Sequence, residues 1–114
     1  MKVYISIPIS GRPIQDAKYQ AECIKARLML HGHECITPFE VSPDADKPYA
    51  YHIGRDIEAL LADDVKAVAF GNGFHDSPGC LLEHAAAEIY HKRIVYETWF
   101  DFLDFTTLIP KPIK

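Results

Sequence analysis

The stretch from Val65 to Tyr90 constrains the fold more than any other part of the chain. A strand-length apolar run, VKAVAF, passes through the loop GNGFHD into a helix whose start is spelled out residue by residue. Ser77 suits an N-cap, because its hydroxyl can accept a backbone N–H. Pro78 suits the first helical position, where no N–H is needed, and Gly79 follows it. Such a loop aims free N–H groups and the positive end of a helix dipole at whatever sits above the sheet, a good place for an anionic or polar ligand. Glu83 stands near that helix start, and the dipole predicts that it stays ionised, as a carboxylate nucleophile must.

The rest of the chain repeats this strand-then-helix alternation. Lys2–Ile7 reads as a buried strand, broken by the loop from Pro8 to Pro13. Ile14, Ala17, Ala21, Ile24 and Leu28 recur at helical spacing as far as Leu30, and Gly32 can take the left-handed conformation that ends a helix. Glu34–Thr37 reads as a second strand and Phe39–Pro48 as an acidic loop. Tyr49–Asp63 reads as a helix with Ile53, Ile57, Leu60 and Leu61 buried. Val65–Phe70 is the third strand, Ser77 to about His91 a helix, and Arg93–Glu97 the fourth strand. Alternation of this kind implies parallel strands joined by right-handed crossovers. The expected architecture is an α/β, flavodoxin-like three-layer sandwich with a four- to five-stranded parallel sheet in the order 2-1-3-4-5. All 114 residues form one domain with an irregular tail from about 106 to 114.

In that order the switch point lies between strands one and three, and ligands bind there at the carboxyl ends of the strands. The two loops at that point, Pro8–Pro13 and Gly71–Gly79, are also the richest in Gly, Pro and Ser. In the first, Ser6 and Ser10 lie at or past the strand end, Gly11 lets backbone approach a ligand, and Arg12 can fork onto phosphate; an ordinary β–α turn would look the same. His52, Asp56 and Asp63 share one side of the Tyr49–Asp63 helix, so Asp56 could reach the cleft and bind a hydroxyl or base, or move a proton; a solvated helix carboxylate paired with a neighbour is the commoner reading of a lone Asp. Cys80 is near a helix start, where a thiol pKa can fall, with His84 four residues on; a half-buried structural cysteine is the plainer reading.

Composition narrows the classes. A net charge of −4 with scattered Lys and Arg argues against a nucleic-acid partner. Apolar stretches fall far short of the roughly 20 residues that span a bilayer, so no membrane partner is expected. MKVYISIPIS reads as a strand and not a leader, and three cysteines without a CxxC suit reduced thiols, so a cytoplasmic setting is expected. The histidines form no metal-ligand pattern, and no Walker A, GxSxG or GxGxxG motif occurs, so neither metal nor cofactor is expected. The apolar WFDFLDF segment, Trp99–Phe105, either packs on its own sheet or meets a second subunit. With Tyr49, Tyr51 and Tyr90 it suggests a homodimer, or a larger homo-oligomer, whose partner walls the cleft.

YISIPISGR, RDIEALLADDVKAVAF and SPGCLLEHAAAE together resemble the nucleoside 2-deoxyribosyltransferase-like superfamily, over about Met1–Glu97. The likeness is to its small phage and bacterial members of unknown function, and also to the 2′-deoxynucleoside 5′-monophosphate N-glycosidases. The resemblance implies a nucleoside or nucleotide ligand, with Glu83 attacking the anomeric carbon to give a covalent glycosyl–enzyme. It implies that Asp56 orients and protonates, and that Tyr4 lies near the Glu. Where the transferases carry a base-holding Asp, this chain has Ser77, as the nucleotide hydrolases do, which implies a phosphorylated ligand. Ser77 and Gly79, with Pro8, Ser10, Gly11 and Arg12 from the first loop, would form the substrate-binding set. Ala85 stands where the family often has Gly. Hydrolysis or transfer of an N-glycosidic bond is the expected activity; a non-catalytic nucleotide-binding or regulatory module on the same fold is the alternative. A phosphoribohydrolase of the cytokinin-activating kind would need a PGGxGTxxE loop, which this chain lacks.

Overall fold

A computed structural model describes residues 1–112. Four strands form a parallel sheet in the order β2-β1-β3-β4: β1 Lys2–Ser6, β2 Glu34–Ile36, β3 Val65–Phe70 and β4 Arg93–Tyr96. Helices α1 (Ile14–Met29), α3 (Tyr49–Leu60) and α4 (Pro78–Ile89) fill the crossovers. The side-chain period of two in a strand sends alternate residues to opposite layers. Val3 and Ile5 of β1, Ala67 and Ala69 of β3 and Val95 of β4 join Ala17, Ala21, Ile24 and Leu28 of α1 in one core. Tyr4, Val68 and Phe70 face the other way, toward Leu60 of α3 and Ala87 of α4. The three layers, the parallel sheet and the order 2-1-3-4 are as the pattern predicts.

Three local readings change. The acidic loop contains a short helix, α2 (Pro38–Val41), because Thr37 caps it by accepting from Glu40 N and Pro38 supplies a compatible first position. Among the described residues no fifth strand joins the parallel sheet. Instead β5 (Leu103–Asp104) and β6 (Ile109–Pro110) form a small antiparallel pair, so the tail is not irregular throughout; its positions 113–114 lie outside the described residues. The reason is that the apolar residues here serve the α1-side core: Phe100, Leu103 and Leu108 are buried in it and Trp99 and Phe105 pack against it. The Arg27 guanidinium lies 5.2 Å from the Phe100 ring centre and 5.1 Å from that of Phe105. Most of WFDFLDF therefore packs on its own molecule. Among the described residues no helix is long and apolar enough to cross a membrane.

Candidate functional site

The β3–α4 connection is built as its residues dictate. Gly71 N donates to Ser6 O, tying the end of β3 to the end of β1. Gly73 takes a φ of +87°, a single 3₁₀ turn covers Phe74–Asp76, and Ser77 caps α4 by accepting from Cys80 N at 3.3 Å. This start sets the rotation of α4, which buries Cys80, Glu83 and Ala87 and leaves Leu82 and Ile89, an apolar pair expected to share one face, more than half exposed.

Glu83 therefore points down onto the sheet at the floor of a cleft. Tyr4 and Ser6 are two residues apart on β1 and so face the same layer. The Tyr4 hydroxyl donates to Glu83 Oε2 and the Ser6 hydroxyl to Oε1, each at 2.7 Å. A carboxylate held at both oxygens by rigid strand residues is fixed in position. Burial pushes its pKa above the usual range, and the Ser6 and Tyr4 donors pull it back. The balance is thus set by desolvation and hydroxyls, where the helix dipole alone predicts plain ionisation.

Asp56 lines the same cleft from α3 and is 8% exposed. Burial, then the charge of Glu83, raise its pKa from 3.8 to about 7, with Tyr4 pulling the other way. Its Oδ1 is buried with no hydrogen-bond partner among the described residues. Two carboxyls of unequal environment facing one cleft make a pair in which one can be ionised while the other carries a proton, the arrangement acid–base chemistry needs.

The cleft encloses about 580 Å³, in the ordinary range for a small-molecule site. Its walls are mostly apolar, with Ile7, Ile9, Phe39 and Ile53 among them. Of the residues expected to bind substrate, Ser10, Ser77 and Gly79 line it; Tyr4 lies wholly buried beneath Glu83. Pro8, Gly11 and Arg12 do not line it. Arg12 Nη1 donates to Pro8 O and to Gln20 Oε1, each at 2.7 Å, so its guanidinium serves its own loop. Gln20 Nε2 in turn donates to Asn72 O and Glu97 Oε1, and Asn72 N donates to Glu97 Oε1, latching the two loops together behind the cleft. Gly71 makes this possible, because a Cβ there would come within 2.6 Å of the Gln20 amide and 2.7 Å of Ile7.

Gly79 also has a packing reason: a Cβ would meet the Tyr49 hydroxyl at 2.9 Å. Cys80 lines the cleft, but burial raises its thiol pKa, against the lowering its place in the helix suggests. His84 is engaged elsewhere, by the Tyr96 hydroxyl at 2.7 Å and Glu88 at 3.0 Å. Residues that sequence reasoning left out are Lys18, the cleft's cation, and Ser42, the hydrogen-bond partner of His52, which the sequence places on the Asp56 side of its helix without a role. His52 sits four residues before Asp56, so helical spacing carries its signal; for Lys18 the sequence offers none, because Ile14, four residues before it, reads as part of the buried stripe.

A family model described as "Domain of unknown function (DUF4406)" matches residues 1–96, so the chain belongs to that family. A comparison with curated proteins gives no match. Among solved structures the chain is similar to a 2-deoxyribosyltransferase from the psychrotolerant bacterium Bacillus psychrosaccharolyticus, with 20% identity, a TM-score of 0.66 and all of both chains covered. The α/β fold is thus that of a 2-deoxyribosyltransferase.

Proposed function

We propose that this family member binds a nucleoside or nucleotide in the cleft and cleaves or transfers its N-glycosidic bond, with Glu83 as nucleophile. One observation supports this above the others: a buried carboxylate fixed at both oxygens by Tyr4 and Ser6, facing a cleft that also holds Asp56. In the first step a Glu83 oxygen forms a bond to the anomeric carbon as the carbon–nitrogen bond breaks. The electron pair leaves with the base, which takes a proton from neutral Asp56. In the second, Asp56 as carboxylate accepts a proton from water or an acceptor base, whose oxygen or nitrogen displaces Glu83. The similarity in fold to a 2-deoxyribosyltransferase makes deoxynucleosides the first substrates to try.

A 5′-phosphate would take the α4 start beside Ser77, with Ser10 from the first loop; Arg12 is engaged by Pro8 O and Gln20, and Lys18, over the Phe39 ring, is the cation of the lining. The oligomer expected from WFDFLDF finds a better surface on α4, where Leu81, Leu82, Ile89 and Tyr90 are 47–68% exposed. We propose a homodimer through this face; a monomer mass by light scattering across the micromolar range would exclude it.

The deciding experiment is chromatographic detection of free base from deoxynucleosides and their 5′-monophosphates, with wild type and Glu83→Ala. Base release lost in the variant supports the reading. Nucleotide binding without release supports the non-catalytic module instead. Equal affinity for a nucleoside and its monophosphate would remove the phosphate subsite.

A further inference from the structure

We infer that His52, held by Ser42, reads the edge of the nucleobase; the inference rests on the nucleotide reading above and deepens it. Tyr49, His52, Ile53 and Asp56 line the cleft, the i, i+3, i+4, i+7 stripe of one helix. Asp56 is the buried carboxyl of that stripe, and it faces the same cleft as Glu83. If the anomeric carbon sits over Glu83, the base it carries lies over Asp56. One turn back along α3, roughly 6 Å, is His52. A base projecting along α3 from Asp56 therefore arrives at the imidazole.

His52 Nδ1 is hydrogen-bonded to Ser42 Oγ at 2.7 Å. Ser42 is only 9% exposed and lies just after α2, which packs against α3. With Nδ1 occupied, Nε2 is the ring nitrogen left for a ligand. A serine hydroxyl can rotate to donate or accept, so it supports either imidazole tautomer and lets Nε2 offer a donor or an acceptor. Ile53, Phe39, Pro38 and Pro43 also line the cleft and cannot form hydrogen bonds with a base edge through their side chains; the Tyr49 hydroxyl and the Lys18 ammonium, which lies 5.7 Å from the Phe39 ring centre, are further polar groups of the lining. The His52 imidazole, held by Ser42, can offer a base edge either a donor or an acceptor, whereas a lysine only donates.

The test is calorimetric titration of wild type, His52→Ala and His52→Gln with the four common deoxynucleoside 5′-monophosphates and with 2-deoxyribose 5-phosphate, which has no base. His52→Ala is expected to weaken the nucleotides about tenfold or more while binding the sugar phosphate as wild type does. His52→Gln, which keeps a hydrogen-bonding side chain, is expected to change the ranking of the four bases. Equal loss for sugar phosphate and nucleotides in both variants would mean that the pair only braces α2 against α3, and would overturn the base-edge role alone. Unchanged nucleotide binding would overturn it too. Wild type that binds none of the five probes would overturn the nucleotide reading itself.

Discussion

Helices α1 and α4 pack on opposite faces of one sheet and follow opposite rules. On α1 the buried positions are Ala17, Ala21, Ile24 and Leu28, all apolar. On α4 a carboxylate and a thiol are buried while Leu81, Leu82 and Ile89 face outward. Burying a carboxyl costs stability unless hydrogen bonds compensate, whereas burying leucine contributes to it. The α1 side is thus organised for cohesion and the α4 side accepts a penalty. A penalty of this kind, beside an unpartnered Asp56 oxygen, is what the proposed role of Glu83 would require.

The sharpest way to break this contrast is to remove the buried carboxylate. Glu83→Ala is expected to lower base release by at least about a thousandfold, roughly 4 kcal/mol of barrier, with a smaller loss of stability than a core leucine gives, because relief of the carboxyl's burial offsets the Tyr4 and Ser6 hydroxyls left without their acceptor. A near-normal rate would end the nucleophile role. The counterpart on the other face is Leu28→Ala, expected to destabilise by about 3 kcal/mol in a chemical denaturation curve, with a cavity left in the α1 core. A loss as large from Glu83→Ala as from Leu28→Ala would make the two helices alike.

Asp56 sharpens the comparison through pH. Its folded pKa, about 7, lies above the ordinary 3.8, so the fold favours the neutral acid. Stability from this group is complete below about pH 4 and is lost as the pH rises toward 7. Asp56→Asn should abolish that decline, leaving the variant more stable than wild type at pH 8 by on the order of 2 kcal/mol after solvent screening, and little different at pH 4. Denaturation midpoints at the two pH values decide it. Base release by wild type should fall above pH 7 as Asp56 loses its proton. Last and smallest, Leu82→Ser on the exposed face should change monomer stability by no more than about 0.5 kcal/mol. Light scattering on the same variant should show a shift toward monomer.

Much of the architecture was legible because its signals are local. Alternation in KVYIS and VKAVAF, the spacing of Ala17 to Leu28, and the Ser77–Pro78 cap depend on neighbours in the chain. The fate of WFDFLDF was not legible, since apolar content does not say whether a segment extends a sheet or covers a helix; contact with Arg27 and α1 decides that. At the site, Glu83 was legible from its loop and helix start, and Tyr4 only through family resemblance. Ser6 follows once Tyr4 is placed, by the period of two. Arg12 misled because its partners, Pro8 O and the Gln20 amide, appear only when α1 has packed. The inward turn of the Glu83 face, against the stronger apolar pull of Leu82 and Ile89, depends on hydroxyls supplied by β1, dozens of residues away.

The latch behind the cleft has a consequence for how the chain can change. Arg12, Gln20, Gly71, Asn72 and Glu97 come from four separate stretches, yet each constrains the others through Gln20. A side chain added at Gly71 would displace the Gln20 amide and cost its bonds to Arg12, Asn72 O and Glu97, leaving Arg12 held by Pro8 O alone and Glu97 by Asn72 N alone. The two loops are consequently expected to tolerate replacement only as a set. Transplanting the Gly71–Gly79 loop from a relative into this chain, to alter what the cleft accepts, would succeed only if the matching residues at positions 12, 20 and 97 travelled with it.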